Sequence, residues 1–373
     1  MADRVRARVD ALARRGTSVS VQLPDGAELG AAGAATRVVF RDAAAVEALL
    51  AGNHLALAEA FLEQRVDVEG ELREVVRITD DLDVAPDRLA ALAFWLRFRL
   101  DRRRFDRSSI AFHYDRAPEF FLSWLGPARC YTHGFYEGPD DPLADAEARK
   151  LQYAVDQLEL RPGSRVLDVG CGWGSFLEYA GTRGLAVHGI TISREQHAYV
   201  SDRIRKQRLP CTVELVDFLD YRPELAFDAM VFMGSLEHLP GLRGVGRFVA
   251  RHLRPTGRVY ADFVTSREGR MSGRFLRKYI FPGVSHYVHV AGLLRALRRA
   301  GLDVVAFEED TTSCAYAVRD WAVNLERRRA ELAPRHGEAV VRAFLLYLWG
   351  SHHFLLSKRT QAYHLVAARN RSA

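Results

Sequence analysis

The decapeptide VLDVGCGWGS, residues 166–175, holds the densest chemistry in the sequence. Val166 and Leu167 read as the end of a buried strand, Asp168 closes it, and Gly170, Gly172 and Gly174 turn the chain into a helix. Glycines at such a turn let backbone approach a ligand closely and adopt conformations closed to other residues. Dinucleotide enzymes use a related loop, and two details separate the cases. The spacing is GxGxG, with Ser175 where a dinucleotide loop needs its last glycine, and Asp168 is placed to receive a cationic amino group. S-adenosylmethionine carries that cation and no pyrophosphate, so it fits the loop better than a nicotinamide.

Further polar positions follow the next two strand candidates. HGITIS ends without the acid that usually grips ribose hydroxyls, and Thr191, Ser193 and Gln196 stand there instead. Ser193 reads equally as a helix N-cap. Asp217, with Phe218 beside it, closes CTVELVD and is a candidate for the adenine amino group; acids in that loop are also often plain surface.

These residues need a frame. SRVLDVG, LAVHGITIS, CTVELVD, FDAMVFMGS and GRVYADFVT are five strand candidates separated by helix-length segments. That alternation predicts a parallel, doubly wound α/β sheet of the Rossmann-like methyltransferase kind. A mostly helical region after about 265 is expected to form a lid, and QAYHLVAA to return a strand to the sheet edge. Residues 1–105 read as a small N-terminal domain, with TRVVFRD as a strand and AAAVEALLAGNHLALAEAFLEQ as two helices broken at Gly52-Asn53. Residues 106–373 are the catalytic domain.

At 373 residues, 48% hydrophobic, the chain has material for a large core. No run of eighteen apolar residues and no apolar leader are present, and the four cysteines form no CxxC pair. These features predict a reduced, cytoplasmic protein. The net charge of +6 suits an anionic partner. Much of it sits in FWLRFRLDRRRFDR, where Arg97, Arg99, Arg102, Arg103, Arg104 and Arg107 alternate with aromatic residues. Such a segment suits an acidic membrane surface, or is a solvated connector whose arginine stems pack on the neighbouring domain. No nucleic-acid motif accompanies it.

Across residues 110–370 the sequence resembles the cyclopropane-fatty-acyl-phospholipid synthases and their mycolic acid methyltransferase relatives. HYDRAPEFFLSWLG, YTHGFYEGPDDPLADAEARK, VLDVGCGWGSF, GITISREQ, LEHLP, KYIFPG and FLLSKRTQAYHLV carry the resemblance. It implies methyl transfer from S-adenosylmethionine to the double bond of an unsaturated acyl chain, in a phospholipid at the inner face of the membrane. Loss of a proton then gives a cyclopropane, a methylene or a methyl branch. It also implies cofactor contacts at Tyr131 and Thr132. A homodimer is one candidate assembly.

Family members hold a bicarbonate base with a cysteine, a glutamate, a histidine and a tyrosine. Here Glu237 matches the glutamate, whereas the other three positions read His133, Asp262 and Cys314, with Tyr316 two residues on. One ligand of four is retained, which weighs against bicarbonate. Three readings follow. His133 or Asp262 is itself the base, an imidazole being suited to proton transfer at neutral pH; or the product has changed; or the acceptor is a small natural product, methylated on nitrogen or carbon. A lipid-surface scaffold with a decayed site is the rival outside enzymes. The apolar stripe Phe275, Leu276, Tyr279, Ile280, Phe281 and Tyr287 is a candidate channel cover, with packed core as its plain alternative. His286 and His289 share a spacing that suits metal, but no further ligands accompany them.

Overall fold

A computed structural model describes residues 1–14, 18–80, 117–239, 241–266, 274–281 and 287–369. The arginine-rich connector at 97–107 and His286 lie outside the described residues. The chain divides into two compact units. Unit 1 comprises 1–101, 273–280 and 325–353; unit 2 comprises 102–272, 281–324 and 354–373. The N-terminal unit is thus discontinuous, and takes two segments that the sequence reading gave to the catalytic domain.

Unit 1 is built on four strands, β1 (Val19–Gln22), β2 (Glu28–Gly30), β3 (Thr36–Phe40) and β4 (Val66–Glu69), in the order β2-β1-β3-β4. VSVQ alternates buried and half-buried positions, as a strand with one covered face must. The expected helix pair is Ala43–Leu50 and His54–Leu62, and Asn53 caps the second by accepting from the Ala56 N–H at 3.1 Å. The helix Glu338–Leu356 has the length and apolar composition of a membrane span, although the sequence reading found no such run. Its Arg342 is 2% exposed and donates to the Phe61 carbonyl at 3.0 Å, Asp67 at 3.1 Å and Glu338 at 2.7 Å. A guanidinium held by partners on a neighbouring helix, a strand and its own helix marks residues 338–353 as packed within unit 1. A buried guanidinium without them costs several kcal/mol.

Unit 2 holds a seven-stranded sheet: β5 (Arg165–Val169), β6 (Ala186–Thr191), β7 (Thr212–Leu215), β8 (Phe227–Met233), β9 (Leu253–Ser266), β10 (Leu302–Glu309) and β11 (Thr360–Arg369). The order is β10-β11-β9-β8-β5-β6-β7. Strands β5 to β9 pair in parallel and β11 runs antiparallel between β9 and β10. All five predicted strands are present. QAYHLVAA does return to the sheet, but as an interior strand; the edge is β10, which the sequence reading missed. Consecutive residues feed opposite faces: Val166 and Val231 join one core, Leu167 and Phe232 the other. Each such fully buried hydrophobic side chain contributes about 1.5–3 kcal/mol. Strand order reverses beside β5, so the crevice for a ligand opens at the carboxyl ends of β5 and β8.

Candidate active site

The glycine turn sits at that crevice. Gly170, Gly172 and Gly174 all have positive φ (+74°, +54° and +79°). A Cβ on Gly170 would lie 2.8 Å from Ser235 Cβ, whereas one on Gly172 would meet no atom within 4 Å. Gly172 therefore offers bare backbone to the cleft. Lining the cleft are Tyr131, Thr132, Asp168, Gly170, Gly172, Thr191, Gln196, Asp217 and Phe218, nine of the predicted contacts. Gly174 and Ser193 do not line it. Gly174 faces Val200, and Ser193 caps the helix Arg194–Gln207 by accepting from the Gln196 N–H at 3.3 Å. For Ser193 the capping reading holds.

Asp168 is 2% exposed. Burial, helped by the negative charge of Asp262 and opposed by Lys150, pushes its carboxyl up to about 7. Such a group gains from a cationic ligand. At the end of β6, Thr191 Oγ1 donates to Gln196 Oε1 at 2.8 Å, presenting two joined polar side chains in place of the missing acid. Asp217 Oδ1 accepts from the Leu219 N–H at 2.8 Å, which shapes the loop that brings Phe218 to the cleft.

The segment 128–132 is held from behind by one helix, Leu143–Gln157. Glu147, fully buried, accepts from the Ala128 N–H at 3.1 Å, and Lys150, one turn on, reaches Thr132 Oγ1. Tyr131 is packed by rings of Phe121, Trp124 and Trp321 at 5.5–5.7 Å between centroids. A carboxylate, a bare glycine backbone, joined polar groups and an aromatic wall together match the ammonium, the chain and the adenosine of S-adenosylmethionine.

The proposed catalytic residues other than Tyr316 fall into two groups, and charges from both act on the buried Cys314. Burial raises the thiol of Cys314, and Asp310 and Asp262 raise it further, with smaller influences of Lys150 and Glu237. In the first group, Glu237 follows β8 in the turn Leu236–His238; its Oε1 accepts from the Val264 N–H at 2.6 Å and its Oε2 is buried with no hydrogen-bond partner among the described residues. Burial pushes Glu237 up to about 8 despite that bond. Asp262, 1% exposed, is 3.4 Å from Lys150 Nζ. Against its complete burial, the charge of Asp262 keeps the Lys150 ammonium protonated.

In the second group, Asp310 Oδ2 accepts from His133 Nε2 at 3.0 Å and from His364 Nδ1 at 2.6 Å. Burial raises Asp310, but the hydrogen bonds and the charge of the two histidines together outweigh it and bring Asp310 down to about 2. Tyr316 turns away from both groups: its ring lies 5.7 Å from that of Tyr136, under the Arg319 guanidinium. Two residues along a helix rotate a side chain by about 200°, so Tyr316 cannot share the direction of Cys314. His289 caps its own helix, its Nδ1 accepting from the Gly292 N–H at 3.0 Å.

Sequence reasoning missed Lys150, Ser235, His238, Asp310 and His364. Ser235 and His238 line the cleft, and the rule placing ligands at strand carboxyl ends points to them, since they follow β8 directly. The other three come together only through the fold.

The family described as mycolic acid cyclopropane synthetase matches residues 101–365. A probable fatty acid methyltransferase of Pseudomonas putida is 29% identical over 315 residues, 79% of this chain and 77% of that one. The cyclopropane-fatty-acyl-phospholipid synthase of Escherichia coli K12 is 33% identical over 175 residues, 46% of this chain and 44% of its own. Among solved structures, the cyclopropane synthase MmaA2 from Mycobacterium tuberculosis superposes with a TM-score of 0.65 at 24% identity, over 70% of this chain and 98% of that one. The chain belongs to the mycolic acid cyclopropane synthetase family of lipid methyltransferases, and it is an S-adenosylmethionine-dependent enzyme.

Proposed function

We propose that this enzyme methylates a carbon–carbon double bond of an unsaturated fatty acyl chain, in a phospholipid, to give a cyclopropane or a methylene- or methyl-branched product. S-adenosylmethionine supplies an electrophilic sulfonium methyl group when bound. The work of the protein is to hold the donor, exclude water, sustain positive charge on the acyl chain and accept the proton released. Asp168 and the Gly172 backbone serve the first task. Glu237 serves the last two.

One observation carries this assignment: Glu237 Oε2 is a buried acid oxygen with no hydrogen-bond partner among the described residues, in the turn whose neighbours Ser235 and His238 line the cleft. An acid raised to about 8 is a stronger base than an ordinary carboxylate, and sits near working pH. Positive charge developing beside it strengthens their attraction in the transition state over the ground state. Asp262 is committed to Lys150, and His133 Nε2 to Asp310, so each is less free to take a proton at those atoms. We therefore assign the proton to Glu237 in preference to His133 or Asp262. The substrate makes the enzyme a peripheral protein at the inner face of a membrane.

The test is expression in a host that lacks branched and cyclic acyl chains, followed by mass spectrometry of its fatty acids. A gain of one CH2 unit on unsaturated chains is expected, with fragmentation distinguishing ring, methylene and branch. Unchanged fatty acids, together with methylation of a soluble amine or natural product by the purified enzyme, would overturn the proposal in favour of the small-molecule reading.

A further inference from the structure

Two helices of unit 2 bring four arginines to one depression. Arg243 and Arg247 lie one turn apart on Leu242–His252, and Arg295 and Arg299 one turn apart on Val290–Arg299. All four are exposed and all four line the same recess. The helices approach closely because Gly246 has no side chain: a Cβ there would lie 2.8 Å from the Ala296 carbonyl oxygen. Like charges one turn apart on a helix destabilise it, and here two such pairs line one recess. Among the described residues none of the four pairs with a carboxylate, and no acidic side chain lines the recess. Elsewhere the chain's arginines are commonly paired, as Arg37, Arg65, Arg203 and Arg329 are.

The floor of the recess is apolar, with Phe218, Leu219 and Leu242. Phe218 and Leu219 also line the cofactor cleft, so the two recesses share a wall. Guanidinium groups above an apolar floor suit an amphiphile that is anionic at one end, and a planar guanidinium donates two parallel hydrogen bonds to phosphate oxygens. A nucleic acid strand would need stacking surfaces, and Phe218 is buried.

We propose that Arg243, Arg247, Arg295 and Arg299 form a docking site for the phosphate of anionic phospholipids at a membrane surface. The inference rests on the lipid reading above and adds the head-group class through which the enzyme is held at its substrate. Each basic residue near an acidic membrane surface strengthens partitioning several-fold, so removing four is expected to cost roughly a hundredfold or more.

The experiment is co-sedimentation of the full chain with vesicles of phosphatidylcholine alone or mixed with phosphatidylglycerol. It compares wild type, the quadruple Arg→Gln variant and the quadruple Arg→Lys variant. Cofactor affinity, measured by calorimetry, verifies that each variant is folded. Salt-sensitive binding to the anionic vesicles is expected for wild type, with little binding to neutral ones. The Gln variant should lose about a hundredfold and the Lys variant should keep most of it. Equal binding of wild type and the Gln variant overturns the proposal. So does saturable uptake of inorganic phosphate or duplex DNA at these arginines without vesicle binding. Turnover on detergent-dispersed unsaturated phospholipid separates the two proposals. If it is absent while anionic vesicles are still bound through the arginines, the acyl-chain reading fails and the docking site stands.

Discussion

The Val264 N–H donates to Glu237 Oε1 at 2.6 Å, and Glu237 Oε2 is buried with no partner among the described residues, so strand β9 fixes one oxygen and leaves the other for chemistry. Glu237→Gln keeps the carbonyl acceptor for Val264 and removes the proton acceptor. Turnover should fall by roughly 10²–10⁴-fold, the range that general base catalysis supplies, with cofactor affinity nearly unchanged. In wild type, kcat/KM should rise with pH through about 8, because the free enzyme must lose the Glu237 proton to have a base. Stopped assays across pH, with calorimetry for the cofactor, check both; normal turnover in the Gln variant removes Glu237 from the mechanism.

Stability should respond to pH in a direction set by three buried acids. Glu237 is pushed to about 8, and Glu147 and Asp168 to about 7, in each case chiefly by burial. Each carboxyl binds its proton more tightly folded than unfolded. The folded form therefore holds more protons than the unfolded between about pH 4.5 and 8, and stability falls as pH rises through that window. The ligand-free enzyme should melt at a lower temperature at pH 8 than at pH 5. Because a bound ammonium favours the Asp168 carboxylate, cofactor binding near pH 6.5 should release protons, seen as a buffer-dependent heat that Asp168→Asn abolishes. A flat melting profile from pH 5 to 8 would contradict the burial of these groups.

Lys150 and Asp262, 0% and 1% exposed, are the most deeply buried ion pair near the site among the described residues. Lys150→Met leaves the Asp262 charge alone in the interior and frees Thr132, and should destabilise by about 3–5 kcal/mol. The double variant Lys150→Met/Asp262→Leu should recover much of that loss, since replacing both partners by apolar groups is often near neutral. A double-mutant cycle from denaturant melts reads the coupling directly. Additive single losses would mean that the two charges are not coupled.

How far the sequence reached depends on how local the information is. The cofactor turn was legible because strand, glycines and helix are contiguous. The break at Gly52-Asn53 was legible for the same reason, Asn53 being an N-cap by residue type. Strand β10 was not, because it lies at the sheet edge with most of its residues exposed and so lacks the alternation that marks a half-buried strand. The interior place of β11 depends on pairing with β9 from Thr360↔Ser266 to Ala368↔Arg258, a register between segments far apart in sequence. Asp310 meets His133 across 177 positions and His364 across 54. Glu237 was found through family resemblance, but its state was not: only burial and the Val264 bond reveal a raised acid with one idle oxygen.

The glycine turn gives the sharpest separation of folding from binding. Gly170 and Gly172 both have positive φ, so alanine at either costs about 1 kcal/mol or more in backbone strain. At Gly170 the new methyl also collides with Ser235 Cβ, 2.8 Å away, so Gly170→Ala should lower stability further and disturb the β8 turn that holds Glu237. At Gly172 the methyl meets no protein atom within 4 Å and projects into the cleft. Gly172→Ala should therefore melt only a few degrees below wild type, yet lose cofactor affinity at least tenfold, the equivalent of about 1.4 kcal/mol. Calorimetric titration with S-adenosylhomocysteine and a thermal melt on the same samples decide it. Wild-type affinity in Gly172→Ala would show that the donor does not lie against this turn.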